Sequence, residues 1–252
     1  ERIVAVWPGY KDQAFGLAVD IGSTTIAGHL CDLGSGEVVA SAGMMNPQIR
    51  FGEDLMSRVS YLLMKPDGRE EMTQVVRAAV NQLITETVAA VDSDASHVLE
   101  LSIAGNPIMH HLFLGLSPVE LGTAPFALVT DAAIGQDAAS LDLRTNPGAQ
   151  VYVLPCIAGH VGADAAAMVL AEAPQTQAGV ALVVDVGTNA EIVLSNNGKL
   201  LACSSPTGPA FEGAQISCGQ RAAPGAIERV RIDAETFEPK FKVIGSDLWS
   251  DE

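Results

Sequence analysis

Positive charge is scarce in this chain of 252 residues, in which 14 Lys and Arg face 30 Asp and Glu for a formal net charge of −16. Nucleic-acid affinity depends on basic patches, and so does attraction to anionic membranes. We therefore expect neither kind of partner. The sequence also lacks a secretory signal pattern and any apolar run of about 20 residues, the length a membrane span needs. These absences favour a cytoplasmic protein.

Motifs of several common site types are missing as well. The four cysteines, Cys31, Cys156, Cys203 and Cys218, include no Cys-x-x-Cys pair, so we expect reduced, buried thiols and no iron–sulfur ligand set. No Gly-x-x-x-x-Gly-Lys-(Ser/Thr) segment is present, which excludes a P-loop. No Gly-x-Gly-x-x-Gly follows a strand, which leaves a dinucleotide-binding fold unsupported.

Two segments of the chain, residues 16–41 and 181–204, repeat one pattern. Each has an apolar run, then Asp-x-Gly-(Ser/Thr)-(Thr/Asn), a second apolar run, a Gly turn and a third strand. The matched positions are Asp20 with Asp185, Gly22 with Gly187, and Ser23 with Thr188. A duplicated phosphate-binding hairpin predicts a two-lobed ATPase with nucleotide held between the lobes.

The order of predicted elements gives the fold class. Three strands, a helix, a strand, a helix, a strand and a helix precede the second copy of the hairpin. This order predicts an α/β, ribonuclease-H-like lobe of the actin-like ATPase type, with a mixed five-stranded sheet and flanking helices. Residues 115–150, rich in Pro, Gly, Ala and Asp, are expected to be irregular.

The same order sets the expected domains. Residues 1–15 are a linker, 16–178 the first lobe and 179–252 the N-terminal part of a second, similar lobe. Far fewer residues follow Asp185 than separate the two motif aspartates, so we expect the second lobe to be incomplete. Because the chain begins at Glu1 rather than Met, we also expect an N-terminal portion to precede it.

The turn between the first two strands of each hairpin suits phosphate. A glycine lets the backbone approach an anion closely, because it has no Cβ. Backbone N–H groups and Ser or Thr hydroxyls then donate hydrogen bonds to phosphate oxygens. The candidate nucleotide-binding residues in the two turns are Gly22, Ser23, Thr24 and Thr25 in the first and Gly187, Thr188 and Asn189 in the second.

Four acidic residues are candidates for catalysis. Asp20 would hold Mg²⁺ through the water shell of the ion, because Mg²⁺ keeps several waters. Asp185 would be a second acid at the metal or would position the attacking water, and Glu191 is a weaker candidate for polarising that water. Asp164 is either a catalytic acid near the γ-phosphate or a first-turn residue favoured by the helix dipole.

Three further segments are candidates for lining the nucleotide site. Gly162 opens a helix whose N-terminus can face phosphate. Asn106 either lines the cleft or caps the following helix. The segment that holds Gly208, Glu212 and Gly213 forms either a loop over the nucleotide or an ordinary turn.

Residues 20–25 and 185–191 resemble the two phosphate motifs of the actin-like ATPases, a superfamily that holds acetate and sugar kinases, heat-shock chaperones and actin. Three longer strings are similar to the reductive activators of corrinoid proteins. They are residues 104–116 (AGNPIMHHLFLGL), 155–164 (PCIAGHVGAD) and 208–216 (GPAFEGAQI). Together with the two motifs, they extend the resemblance over nearly the whole chain.

The resemblance implies a function, cofactors and partners. Members of this family use ATP and Mg²⁺ to drive reduction of Co(II) to Co(I) in a corrinoid methyl-transfer protein, which is the expected partner. They carry a [2Fe–2S] ferredoxin-like domain ahead of this region, and a homodimer is consistent with the family. Since that domain is absent here, turnover and electron transfer are expectations for the intact protein rather than for residues 1–252 alone.

Three alternatives belong to other functional classes. A small-molecule kinase of the same superfamily would need an acceptor pocket with Asp164 as its base. An activator of radical dehydratases would need a cysteine pair that bridges a dimer through a [4Fe–4S] cluster. A nucleotide-gated, non-catalytic interaction module would bind nucleotide without turnover.

Overall fold

The computed structural model describes residues 3–187, 189–207 and 224–250. Within them the chain forms eleven strands and four α-helices, with short 3₁₀ helices between them. The strands are β1 (Phe15–Ile21), β2 (Thr25–Asp32), β3 (Val38–Met45), β4 (Val98–Gly105), β5 (Ile134–Asp137), β6 (Gln150–Val153), β7 (Val180–Val186), β8 (Asn189–Asn196), β9 (Lys199–Pro206), β10 (Ile227–Ile232) and β11 (Pro239–Val243). The helices are α1 (Leu55–Met64), α2 (Gly68–Ala89), α3 (Pro107–Leu114) and α4 (Ala163–Glu172).

The main sheet has six strands in the order β3-β2-β1-β4-β6-β5. Strand β2 runs antiparallel to β1 and β3, whereas β1, β4 and β6 are parallel to one another. These five strands confirm the predicted ribonuclease-H-like arrangement. The predicted strand number of five is wrong, because β5 pairs antiparallel with β6 at the edge. This four-residue strand lies in the segment expected to be irregular, and it is too short to give a periodic signal.

The core lies between one face of this sheet and helix α2. Alternate residues of β1 point toward it, so that Leu17, Val19 and Ile21 are buried and Asp20 faces the other side. Helix α2 contacts β2 and β3 with an apolar stripe that includes Met72. The side of the sheet opposite this core is therefore left for polar groups at the end of β1.

The second copy of the hairpin forms a separate three-stranded sheet. Its order β7-β8-β9 repeats the order β1-β2-β3 of the first copy, as the duplicated motif predicts. Asn197 and Gly198 between β8 and β9 both have positive φ, +48° and +83°, as a type I′ hairpin turn requires.

The chain divides into two compact units. The first comprises residues 1–185 and 191–204, and the second comprises residues 186–190 and 205–252, including the antiparallel β10–β11 hairpin. The lobe boundaries predicted from the sequence, 16–178 and 179–252, stay a prediction. In the part of the chain that the structure describes, no helix is both long and apolar enough to cross a membrane.

The cysteines differ in exposure. Cys156 is buried, Cys31 is half-buried and Cys203 is exposed, whereas Cys218 lies outside the described residues. The expectation of buried thiols is therefore correct for Cys156 and wrong for Cys203, because Cys203 points outward from β9.

Candidate functional site

Three successive carbonyl groups of the turn that follows β1 accept hydrogen bonds from Asn46 and Arg58. The Asn46 side-chain amide donates to the Gly22 carbonyl over 2.8 Å, and the Asn46 backbone N–H donates to the Thr24 carbonyl over 2.7 Å. The Arg58 guanidinium donates to the Ser23 carbonyl between them. A trans peptide unit points its C=O and the next N–H in opposite directions. The N–H groups that follow these three carbonyls therefore point away from Asn46 and Arg58.

Gly22 has no room for a side chain. A Cβ there would lie 2.6 Å from the Thr25 carbonyl oxygen, a distance at which the backbone would have to move. The glycine that was predicted to let phosphate approach is thus also required by the tight reversal between β1 and β2.

Two other predicted segments meet beside this turn. Gly105, at the end of β4, pairs with Ile21 at the end of β1. A Cβ on Gly162, the residue before α4, would lie 2.6 Å from the Asn106 Cα and 2.7 Å from the Gly105 carbonyl oxygen. Because no side chain fits there, the start of α4 packs directly on the β4–α3 junction.

Asn106 caps helix α3. Its Oδ1 accepts a hydrogen bond of 3.0 Å from the Met109 N–H, and the residue is 7% exposed. The helix-cap interpretation of Asn106 is therefore confirmed. Its role at a nucleotide stays a prediction.

Four predicted acidic residues come together in the first unit. Asp20 lies near the end of β1, Asp164 in the first turn of α4, Asp185 near the end of β7, and Glu191 on β8. The negative charges of Asp20, Asp185 and Glu191 all act on Asp164, and Asp185 also acts on Asp20 and Glu191. The two hairpins thus supply acids to one cluster at the start of α4.

Asp164 is the most perturbed acid in this cluster. Burial, followed by the charges of Glu191, Asp20 and Asp185, raises its pKa to about 7, although the Ala165 N–H donates to its Oδ1 over 2.8 Å. A helix N-terminus alone would stabilise the carboxylate and lower the pKa. Asp164 lies in the first turn of α4, and its part in catalysis stays a prediction.

Burial also raises the pKa of Asp20 and of Glu191. For Asp20 the next cause is Asp185, and His29 acts in the opposite direction. Glu191 is buried, and the Ser204 hydroxyl donates to its Oε1 over 3.1 Å, which partly offsets the effect of burial. Ser204 therefore holds the Glu191 carboxylate in one orientation.

The cluster suits a hydrated divalent cation better than a directly ligated one. Among the described residues no group of three or more His, Cys, Asp and Glu side chains is placed to hold a metal ion. The mutual repulsion of the acids, however, is what a cation at the cluster would relieve. Because Mg²⁺ keeps most of its waters, two nearby carboxylates are enough for such a site.

The remaining predicted nucleotide-binding residues are placed as follows. Ser23 is buried, and Thr24 and Thr25 lie in the turn and at the start of β2. Gly187 and Asn189 belong to the second unit, where the Gly187 N–H donates to the Asn189 carbonyl over 2.9 Å. Four predicted residues lie outside the described residues: Thr188, Gly208, Glu212 and Gly213.

Sequence reasoning missed Asn46, Arg58 and Ser204. Asn46 precedes a proline and was indistinguishable from a strand breaker. Ser204 lies in an apolar strand, where a hydroxyl gives no signal for the acid it contacts. Arg58 lies three residues after Leu55 and four before Leu62, on the apolar face of the helix pattern, but its position there gives no signal for the carbonyl that it contacts.

Comparison with known proteins identifies the family. The model described as "RACo middle region" matches residues 15–176, and the model described as "C-terminal domain of RACo the ASKHA domain" matches residues 179–250. The corrinoid activation enzyme RamQ of Eubacterium limosum is 35% identical over 246 residues, which cover 97% of this chain and 41% of RamQ. The [Co(II) methylated amine-specific corrinoid protein] reductase of Methanosarcina barkeri is 28% identical over 232 residues, with 88% and 41% covered.

A solved structure is similar to this chain over most of its length. The "Reductive activator for corrinoid,iron-sulfur protein" superposes with a TM-score of 0.84 at 35% identity, covering 94% of this chain and 38% of that one. The chain thus spans about two fifths of the length of the relatives that it matches. The chain therefore belongs to the RACo family of reductive activators of corrinoid proteins, with the actin-like ASKHA fold.

Proposed function

We propose that this chain is the ATP-binding and ATP-hydrolysing portion of a protein that couples ATP to reduction of Co(II) to Co(I) in a corrinoid methyl-transfer protein. The observation that carries the proposal is the cluster of Asp20, Asp164, Asp185 and Glu191, in which the acids interact. Clustered acids beside a phosphate-binding turn are what hydrolysis of a Mg²⁺-bound phosphoanhydride requires.

Each acid would have its own part in hydrolysis. Asp20 and Asp185 would hold hydrated Mg²⁺, which would neutralise charge on the phosphates. Asp164, whose pKa is raised mainly by burial, would accept a proton from the attacking water. Glu191, oriented by Ser204, would help to position that water.

ATP is needed because a one-electron reduction of Co(II) in a corrinoid protein is uphill for ordinary donors. Nucleotide can assist only by binding two conformations of the activator with different affinity. The electron would come from a [2Fe–2S] cluster of the intact protein. Among the described residues of this chain, no group of three or more His, Cys, Asp and Glu side chains is placed to hold a metal ion. The corrinoid protein is then a macromolecular partner, and a homodimer is a separate proposal that a mass measurement of the intact protein would test.

The test follows ATP hydrolysis by the full-length protein with and without a Co(II) corrinoid protein, under a low-potential reductant, while the cobalt absorbance is recorded. We expect stimulated hydrolysis together with loss of the Co(II) spectrum. Asp20→Asn and Asp185→Asn should each lower turnover by at least about 100-fold, the scale on which removing a preorganised charge acts. Asp142→Asn is the matched control, because Asp142 is exposed and pairs only with Arg77 in the described structure.

Two results would contradict the proposal. Unchanged turnover in both Asp20→Asn and Asp185→Asn would remove the acid cluster from catalysis. Transfer of the γ-phosphate to a small acceptor, without any response to the corrinoid protein, would instead establish the kinase alternative.

A further inference from the structure

Arg58 is a buried arginine whose hydrogen-bond partners among the described residues include no carboxylate. Its side chain is 0% exposed. Its Nε donates to the Gly52 carbonyl over 3.0 Å, and its other donors face the Ser23 carbonyl, the Gln48 side-chain oxygen at 3.5 Å and the Met109 sulfur at 3.2 Å. Within residues 3–187, 189–207 and 224–250, no acidic side chain forms an ion pair with it.

The guanidinium keeps its charge in this environment. Burial lowers the pKa of Arg58 to about 10, and the carboxylate of Asp54, the N-cap of α1, acts in the opposite direction. A pKa of 10 lies about three pH units above neutrality, so the group is protonated there. All of its described hydrogen-bond partners are neutral.

A buried, unpaired charge is costly, and a neutral side chain of similar size would usually be more stable in its place. The location of the charge suggests what offsets the cost. Arg58 contacts the back of the Ser23 peptide, on the side opposite the N–H groups of the phosphate turn. The field of a cation in a water-poor interior is weakly screened, so it would extend through this single layer of backbone.

We propose that Arg58 is a positioning residue for the phosphate-binding turn, and that it also attracts the phosphate groups through the turn without touching them. This proposal rests on the proposed function, since it assumes that the turn of Gly22 to Thr25 binds the phosphates of a nucleotide. Arg58 thereby makes binding depend on phosphate charge, whereas a purely structural tie would affect every ligand of the site alike.

Met109 links Arg58 to Asn46 and to Asn106, the N-cap of α3. Its thioether accepts from both Arg58 and the Asn46 amide, at 3.2 and 3.5 Å, and its N–H is capped by Asn106. The phosphate turn and the β4–α3 junction are therefore held by one buried polar cluster. A ligand that displaces the turn would also displace the start of α3.

The test measures the affinity of the full-length protein for ATP, ADP, AMP and adenosine by calorimetry. Arg58→Met keeps the length of the side chain and removes the charge. We expect ATP to bind about tenfold more weakly, ADP to lose less, and adenosine to change less than about twofold, because the lost attraction scales with ligand charge. Arg58→Lys should restore most of the dependence on phosphate number, even if its thermal unfolding midpoint is lowered.

Arg77→Met is the matched control. Arg77 also donates to a backbone carbonyl, that of Phe113 at 3.0 Å, but it lies away from the phosphate turn. We expect it to leave the four affinities in their wild-type ratios.

The outcomes separate this proposal from the proposed function. If the wild type binds no nucleotide, both fail. If the wild type binds nucleotides and Arg58→Met weakens all four ligands by one factor, or changes none, only the role of Arg58 is overturned. Should Arg58→Met not fold, loss of the phosphate-number dependence in folded Arg58→Lys would overturn it equally.

Discussion

The two hairpins that carry the repeated motif, β1–β3 and β7–β9, share a sequence pattern but differ in their surroundings. Three apolar residues of β1 are at most 2% exposed, whereas their counterparts on β7 are 44–62% exposed. The matched pairs are Leu17 and Leu182, Val19 and Val184, and Ile21 and Val186. Strand β1 has β2 and β4 as neighbours and α2 in the layer above, while β7 pairs only with β8 among the described strands. An apolar pattern thus shows which side chains are suited to burial, and neighbouring elements decide whether they are buried.

The two turns, by contrast, are closed in the same way. In each hairpin the residue directly after the third strand donates a side-chain hydrogen bond to the carbonyl of the motif glycine. Asn46 after β3 donates to Gly22, and Thr207 after β9 donates to Gly187. Because one residue is an amide and the other a hydroxyl, comparing residue types along the sequence does not reveal this shared contact.

The largest difference between the hairpins is expected at their glycines. A Cβ at Gly22 would lie 2.6 Å from the Thr25 carbonyl oxygen, whereas at Gly187 its nearest neighbour would be the Asn189 carbonyl oxygen at 3.5 Å. Gly22→Ala should cost about 3 kcal/mol of stability, as strong overpacking does, and should abolish ATP binding. Gly187→Ala should cost less than about 1 kcal/mol. Denaturant unfolding and calorimetry on the full-length protein measure both, and equal costs would refute the comparison.

A smaller difference is expected at the two residues that close the turns. Asn46→Ala leaves the half-buried Gly22 carbonyl and the buried Gln48 N–H without their side-chain partners, which should cost about 2 kcal/mol. Thr207→Val removes the hydrogen bond to the Gly187 carbonyl at a half-buried position and should cost under about 1 kcal/mol. The same unfolding experiment measures both variants. A larger cost for Thr207→Val would mean that the second turn is the more tightly held.

The smallest expected effects are changes in the pKa of Asp164 when one of the neighbouring acids of the two hairpins is replaced. In the protein without Mg²⁺ and nucleotide, protonated Asp164 should predominate below about pH 7 and the carboxylate above it. Removing a neighbouring negative charge lowers that midpoint. The pKa of Asp164 should fall most in Glu191→Gln, less in Asp20→Asn and least in Asp185→Asn. It should stay above 3.8 in all three variants, because burial is the main cause of the raised pKa. Carbon-13 titration of the Asp164 carboxyl measures the order, and a rise in any variant would contradict it.

Most of the first lobe could be predicted from the sequence because its signals are local. The motif aspartates, the glycines and the apolar runs fixed the positions of β1, β2, β7 and β8 along the chain. Strand β5 could not be predicted, since four residues at a sheet edge show no periodicity and are ordered by pairing with β6.

In the candidate site, too, only the residues with a local sequence signal could be predicted. Asp20 and Asp185 were found because each follows an apolar run, and Asp164 because it follows a glycine at a helix start. The contact of Arg58 with Ser23 spans 35 residues and depends on how α1 packs, which no local pattern contains.

The buried cluster around Arg58 also bears on the order in which the molecule assembles. Asn46 and Arg58 contact the first turn across 24 and 35 positions, and Arg58 contacts Met109 across 51, whereas the Thr207 contact in the second turn joins residues 20 apart. Closing longer loops costs more chain entropy, and structure built on distant contacts forms more slowly. The β1–β2 hairpin can therefore pair early in refolding, but its turn reaches its final shape only after α1 and α3 have docked. We expect competence to bind nucleotide to appear in the last step of folding of this lobe.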